Sequence, residues 1–248
     1  MEIPQILVLA LVGVLAGWLN VMAGGGSLLT VPVMLFMGVP GPVANGTNRI
    51  AILAQNIVAV GTFRRRGFSD FRLSLGLAAA AALGALAGAS LGVQLQGEWF
   101  DRMLALVMIA VMLLMATGHD RIRPVSGDGQ VKNLLLGHVL MIGAGFWGGF
   151  IQIGVGFILM PILHRVMGLD LVRVNMHKVF IVLVFTIVAL AIFASQLELL
   201  WWTGLGLGLG NALGGWLGAH TTVSHGEGLI RQVLYVALTA FIIKLLFF

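Results

Sequence analysis

The chain contains itself twice. At a constant displacement of 129 residues, Trp18 falls on Trp147, Gly25 on Gly154, Pro32 on Pro161, Asn48 on His177 and Arg49 on Lys178. The same displacement sets Gly97, Glu98 and Arg102 on Gly226, Glu227 and Arg231, while one of 126 sets Gly84, Gly88 and Gly92 on Gly210, Gly214 and Gly218. The fold must therefore use one supersecondary unit twice. Composition says where that unit lives: 59% of the residues are hydrophobic and 9% charged, against about 25% charged in soluble domains. So few charges cannot clothe an aqueous surface, and most of the outside must face lipid. Two similar apolar halves, each with a helix broken by glycine, form the pattern of secondary transporters.

Crossing a bilayer takes roughly 20 apolar residues. Runs of that length occupy about 3–22, 71–95, 100–118, 133–152, 175–195, 199–221 and 229–248, and a shorter one, about 48–63, is closed by Arg64-Arg65-Arg66. Two more, about 27–38 and 156–167, are half-length, and each follows a glycine cluster and contains a proline. The expected fold is an all-α integral membrane protein of two inverted-topology repeats. Each repeat has a Gly-broken helix, a re-entrant half-helix and three spanning helices. Residues 1–118 form the first repeat, 119–132 a polar linker and 133–248 the second, together one transport domain. Non-helical backbone at membrane depth must be buried in protein or line a wet cavity, so the two breaks should meet inside. No Lys or Arg precedes the first apolar run and no small-residue cleavage site follows it, so it reads as a membrane helix rather than a signal peptide.

Charge orients the halves. If each half-helix returns to its own side, every half crosses three times and the two point in opposite directions. The inner side then holds Arg64, Arg65, Arg66, Arg72, Arg121, Arg123, Lys132, Arg165, Arg173, Lys178 and Arg231, and the outer side Arg49, Arg102 and Lys244. The excess of inner basic residues favours this inverted arrangement in the cytoplasmic membrane, both termini outside. The net charge of +5 is thus a set of topology markers and not a nucleic-acid surface. The absence of cysteine excludes disulfides, thiolate metal sites and cysteine catalysis. No cofactor is expected: the glycine clusters lack the Lys-Ser/Thr of a phosphate-binding loop, and the histidines lack metal-ligand spacing.

The candidate site lies at the breaks. Gly24, Gly25 and Gly26 precede one half-helix, Gly154 and Gly156 the other, and Ser27 and Gln152 add side-chain donors. A helix that starts at such a break presents unpaired N–H groups and a positive dipole end, and two of them facing each other would hold an anion. Thr47-Asn48-Arg49 and Met176-His177-Lys178 are each read as opening a spanning helix. Intramembrane charge is expensive and mostly functional, so Arg49 and Lys178, at matching positions, are candidates to bring one cation each to a small oxyanion; the alternative is that both snorkel to the headgroups. His177 is placed either to couple transport to protons or to cap its helix. Gly84, Gly88, Gly92, Gly210, Gly214 and Gly218 recur every fourth residue, a packing seam within one chain or between two copies of a homodimer. Asn20, Gln55, Asn56 and Asn211 read as interhelical hydrogen bonds, with lining of the transport pathway as the alternative. An intramembrane hydrolase built on Ser27 and His177 lacks a third orienting group, and an enzyme is not expected.

At these residues the chain resembles the TauE/SafE sulfite-exporter family, also called the toluene sulfonate uptake permease family. The resemblance rests on Gly-Gly-Gly-Ser-Leu-Leu-Thr-Val-Pro at 24–32, Ile-Gly-Val-Gly-Phe-Ile-Leu-Met-Pro at 153–161, Gly-Thr-Asn-Arg at 46–49, the twofold repeat and the length. The second repeat departs from the pattern: Val155 interrupts its glycines, and Met176-His177 stands where Thr-Asn is expected. The resemblance implies sulfite export, or passage of thiosulfate or organosulfonates, by a secondary carrier with a coupling proton. Composition and spacing alone reach only a small anion.

Overall fold

The computed structural model describes residues 3–67, 70–95, 97–116 and 131–221. The expected last span, most of the linker, and Arg121, Arg123, Arg231 and Lys244 lie outside the described residues. Within them the chain is all helix: α1 (Ile3–Ala23), α2 (Ser27–Phe36), α3 (Gly41–Arg65), α4 (Phe71–Gly92), α5 (Glu98–Ala116), α6 (Leu134–Phe150), α7 (Val155–Pro161) running into a π turn (Ile162–Val166), α8 (Leu171–Gln196) and α9 (Trp201–Thr221). Among the described residues, three helices are long and apolar enough to cross a membrane by length and composition: Pro4–Met22, Phe71–Gly92 and Leu171–Gln196.

One expectation needs correction. The short span at about 48–63 is the C-terminal part of α3, a helix of 25 residues that starts at Gly41. Its true start is marked by Pro40-Gly41-Pro42, with proline in the first turn, where its missing N–H is harmless. Asn45, Thr47, Asn48 and Arg49 lower the hydropathy of the first turns, but each finds a partner elsewhere in the fold, so the helix runs through them. In the same way α8 starts at Leu171, where Asp170 accepts from the N–H groups of Val172 and Arg173 at 3.0 Å. Thr47-Asn48-Arg49 and His177-Lys178 thus sit inside their helices and do not open them.

The packing registers fix helix directions. A methyl built on Gly206 would meet Ile6, on Gly210 Ala10, and on Gly214 Val14, so α1 and α9 run parallel. Gly204 lies against Thr47 and Ile50, and Gly215 against Gln55, so α3 shares that direction. In a second set of helices Gly76 faces His138, Gly84 faces Ile142, and Gly88 faces Phe146, which makes α4 and α6 parallel. The bonded pairs Asp70–Arg173 and Ser74–His177 add α8 to that set. Between the sets, Gly46 meets Phe193 while Phe63 clusters with Met176, so α3 and α8 are antiparallel. Since α1 and α3 point the same way, α2 must carry the chain back between them. The α7–π segment does likewise, ending where Met167 packs on Gly137 near the start of α6.

These directions gather Arg64, Arg65, Arg66, Arg72, Lys132, Arg165 and Arg173 at one end of the bundle, where α3 ends and α4, α6 and α8 begin. Arg102, paired with Glu98 at 2.8 Å, lies at the other end.

The six periodic glycines are packing positions, and the seams are filled within one chain: α4 on α6 and α9 on α1. A methyl at Gly88 would collide with the carbonyl oxygen of Phe146, a backbone atom that moves only if the whole helix does. Gly88→Ala should therefore destabilise the protein by about 1–3 kcal/mol, read as a lowered unfolding midpoint in detergent. By contrast Gly61→Ala, which has nothing within 4 Å of the added carbon, should be neutral or better.

A buried polar site between two broken helices

Gly24 adopts φ 80° and Gly154 φ 72°, left-handed values that glycine reaches without strain, and there the two helices break. The breaks touch: a methyl on Gly24 would fall on the Cα of Gly156, and one on Gly156 on the Cα of Gly24. Beside this contact lies a small cavity of about 10 Å³ lined by both halves, at the lower limit for one water molecule. Asn20, Ser27, Gln55, Asn56, Gln152 and Lys178 line it, and Ile52, Val155, Val179 and Val182 complete the wall. Of the residues singled out in the sequence, Gly24, Ser27, Gln152, Gly156 and Lys178 meet here. Both readings of Asn20, Gln55 and Asn56 meet here: Asn20 donates to Gln55 at 3.1 Å from helix to helix, and all three line the cavity.

The first break is braced from α3. Asn48 donates to Ser27 Oγ at 3.1 Å and accepts from Thr30 Oγ1 at 2.7 Å, which ties the first turn of α2 down. The backbone N–H groups of Gly25, Gly26 and Ser27 make no hydrogen bond among the described residues. In the second half His177 holds the place of Asn48 but turns away from its break, with Nδ1 2.8 Å from Ser74 Oγ on α4. Its Nε2 is buried with no partner among the described residues. Here Gln152 does the bracing, donating to Thr186 Oγ1 on α8 at 3.1 Å. Pro161 lacks the N–H that would bond to Phe157, and the π turn follows directly after it, a local register change of the kind found at functional positions.

Arg49 and Lys178 are both buried, at 0% and 2% exposure, so neither snorkels. Each donates across to the broken helix of the other half. Arg49 donates to the carbonyls of Gly148, at 2.9 Å, and Gly149, in the last turn of α6. Lys178 donates to the carbonyl of Val21 in the last turn of α1 at 2.7 Å, and to Asn175 Oδ1 at 2.7 Å. The last four carbonyls of a helix have no partner within it and carry its negative dipole end. At the end of α6 each has been supplied from elsewhere. Trp147 receives the N–H groups of Ile151 and Gln152, Gly148 and Gly149 receive Arg49, and Phe150 receives Asn45 Nδ2 at 3.0 Å. The guanidinium also lies 4.4 Å over the ring of Phe193. Arg49 and its bonds lie outside the cavity wall, as do Thr47, whose Oγ1 accepts from the Leu200 N–H at 3.2 Å, Gly25, Gly26 and Gly154.

The family profile described as "Sulfite exporter TauE/SafE" matches residues 9–245, nearly the whole chain. The chain belongs to this family. It is accordingly a multi-pass membrane transporter rather than an enzyme. It is similar to a "Probable membrane transporter protein ORF9" of a Sinorhizobium species, 28% identical over 94% of this chain and 88% of that one. It is also similar to a "Probable membrane transporter protein" of Haemophilus influenzae, 27% identical over 94% and 91%, and to the Escherichia coli K12 "Probable membrane transporter protein YfcA", 27% identical over 97% and 89%. No solved structure matches the chain.

Proposed function

We propose that this transporter exports small sulfur oxyanions, sulfite first among them, by alternating access between two inverted repeats of residues 1–118 and 133–248. The observation that carries the reading is the cavity at the touching Gly24 and Gly156: it is lined by both halves, and six of its lining residues are polar or charged. Support for inversion comes from the helix directions, since α1, α3 and α4 run opposite to their sequence counterparts α6, α8 and α9. Re-entrant hairpins fit the way α2 and the α7–π segment return along their predecessors, and the basic residues gathered at one end fit a cytoplasmic face there.

The oxyanion sits between the breaks, held by the N–H groups of Gly25 and Gly26 and by Ser27, beside the turn at Gly24, on one side, and by Gln152, Gly154 and Gly156 on the other. Lys178 supplies charge at the cavity wall. Thr47, Asn48 and Arg49 act from behind, holding the broken helices in place, and His177, with its unpartnered Nε2, is the residue for a coupling proton. A cavity of about 10 Å³ does not admit a sulfur oxyanion, so this is a closed state, and transport needs the Gly24–Gly156 contact to part toward one face and then the other. Sulfite efflux from proteoliposomes tests the reading. Wild type should give saturable flux with counterflow, and Lys178→Gln should reduce it at least tenfold. Absence of saturable flux for sulfite, thiosulfate and a simple sulfonate, from protein with a normal unfolding transition, would rule the reading out.

A further inference from the structure

Gln152 is an unusual residue in three independent ways. It is one of two non-glycine residues among those described with a left-handed backbone, φ 61°, a conformation that costs a side chain of this kind about 1–2 kcal/mol. It is buried, with 2% exposure. Its Nε2 is spent on Thr186, which aligns the amide, while its Oε1 has no partner among the described residues. A buried carbonyl oxygen without a donor is costly, and this one belongs to a side chain on the cavity wall. The site is thus not a uniform set of donors: it holds an acceptor that a water satisfies when the site is closed and that a bound ligand satisfies only with a donor of its own.

The charge on the wall points the same way. Lys178 is the one formally charged residue lining the cavity, and no carboxylate among the described residues lines it. One cation balances a monoanion and leaves a dianion with uncompensated charge in a medium of low dielectric. A dianionic oxyanion also presents only acceptors, which would oppose Oε1. A monoprotonated oxyanion carries one negative charge and one donor, and so matches both features.

We infer that Gln152 selects the protonated, singly charged form of the oxyanion, so that the transported species is hydrogensulfite and not the sulfite dianion. The inference rests on the sulfur-oxyanion reading above and adds the protonation state and the residue that reads it. Selection occurs in two parts: Lys178 sets the charge and Oε1 accepts from the ligand's own proton. Thr186 is the positioning residue that keeps Oε1 turned to the ligand.

The test is initial flux from proteoliposomes at fixed total sulfite across neutral pH, where sulfite changes protonation, with sulfate as a competitor that stays dianionic. In wild type, flux should fall about tenfold per pH unit once the monoanion becomes the minor form, and sulfate should compete poorly. Charged or titratable groups near Gln152 are Lys178 on α8 and Arg49 of α3, which binds the carbonyls just before it; His177 on α8 faces Ser74, with Asp70, Asp170 and Arg173 beyond. His177 is the coupling-proton residue of the reading above, so the pH profile is read together with sulfate competition at each pH.

Gln152→Met removes the acceptor at similar length, and Gln152→Gly removes it while relieving the left-handed backbone. Both should weaken hydrogensulfite transport at least tenfold relative to sulfate competition and flatten discrimination between the two, whereas loss of the Thr186 brace alone would lower the unfolding midpoint and leave the discrimination intact. Flux that rises with pH, equal competition by sulfate, or unchanged selectivity in Gln152→Gly would each overturn the inference while leaving the transport of sulfur oxyanions standing. Absence of any saturable flux in wild type would remove both.

Discussion

Arg49→Ala is expected to unstitch the two halves, lowering stability by about 4 kcal/mol or more. The substitution leaves the carbonyls of Gly148 and Gly149 buried without donors, and each costs about 1–3 kcal/mol. It also removes the guanidinium from the face of Phe193, a contact worth about 2 kcal/mol when desolvated, and leaves a space behind. Thermal unfolding in detergent, without ligand, is the deciding measurement. Arg49→Lys keeps the charge but not the two-pronged geometry, so it should fall between wild type and Arg49→Ala. If Arg49 were instead a ligand of the anion, its removal would lower flux and leave the ligand-free midpoint unchanged or raised, because an unpaired buried charge would have gone. A wild-type midpoint for Arg49→Ala would therefore defeat the structural account. One donor, Nε, has no partner among the described residues, so the same residue still has an N–H to offer while its other nitrogens hold α6.

The sequence showed where the backbone breaks, because a glycine cluster followed by a proline in a half-length apolar run does not fit an unbroken spanning helix. It also showed that Arg49 and Lys178 are equivalent. It did not show what they touch. Their acceptors are backbone carbonyls, Gly148 and Gly149 about a hundred residues from Arg49 and Val21 more than 150 from Lys178, and a carbonyl leaves no mark on the residue type that carries it. For the same reason α3 looked short. Thr47-Asn48-Arg49 read as the opening of the helix, whereas Asn45, Thr47, Asn48 and Arg49 all lie within it, each buried at 0% exposure with its partner supplied by another element. Asn20, Gln55 and Asn56 were legible as polar groups in apolar helices, but their convergence on one cavity depends on how α1 and α3 are rotated, which a single sequence does not encode. The departure of the second half was legible and proved structural. His177 in place of Asn48 leaves the second break without the Ser27–Asn48–Thr30 brace, and Gln152, with no counterpart among the glycines of the first break, takes over that task.

Gly24→Ala and Gly156→Ala should both lose transport, and for separable reasons. At Gly24 the added methyl meets two objections: the left-handed φ of 80° and the backbone of Gly156. At Gly156 only the second applies. The dihedral term is about 1–2 kcal/mol and the overpacking term about 1–3 kcal/mol, so Gly24→Ala should lower the unfolding midpoint more than Gly156→Ala. The flux of the two should nevertheless fail together, because either methyl wedges the breaks apart where the closed state needs them in contact. A carrier that cannot close around its substrate cannot carry it across, but it can still leak. Both variants should therefore trade saturable, counterflow-competent sulfite flux for a slow flux linear in concentration. If Gly156→Ala kept wild-type KM and counterflow, the contact between the breaks would be a packing detail and the moving parts would have to be sought elsewhere, in the π turn after Pro161 first.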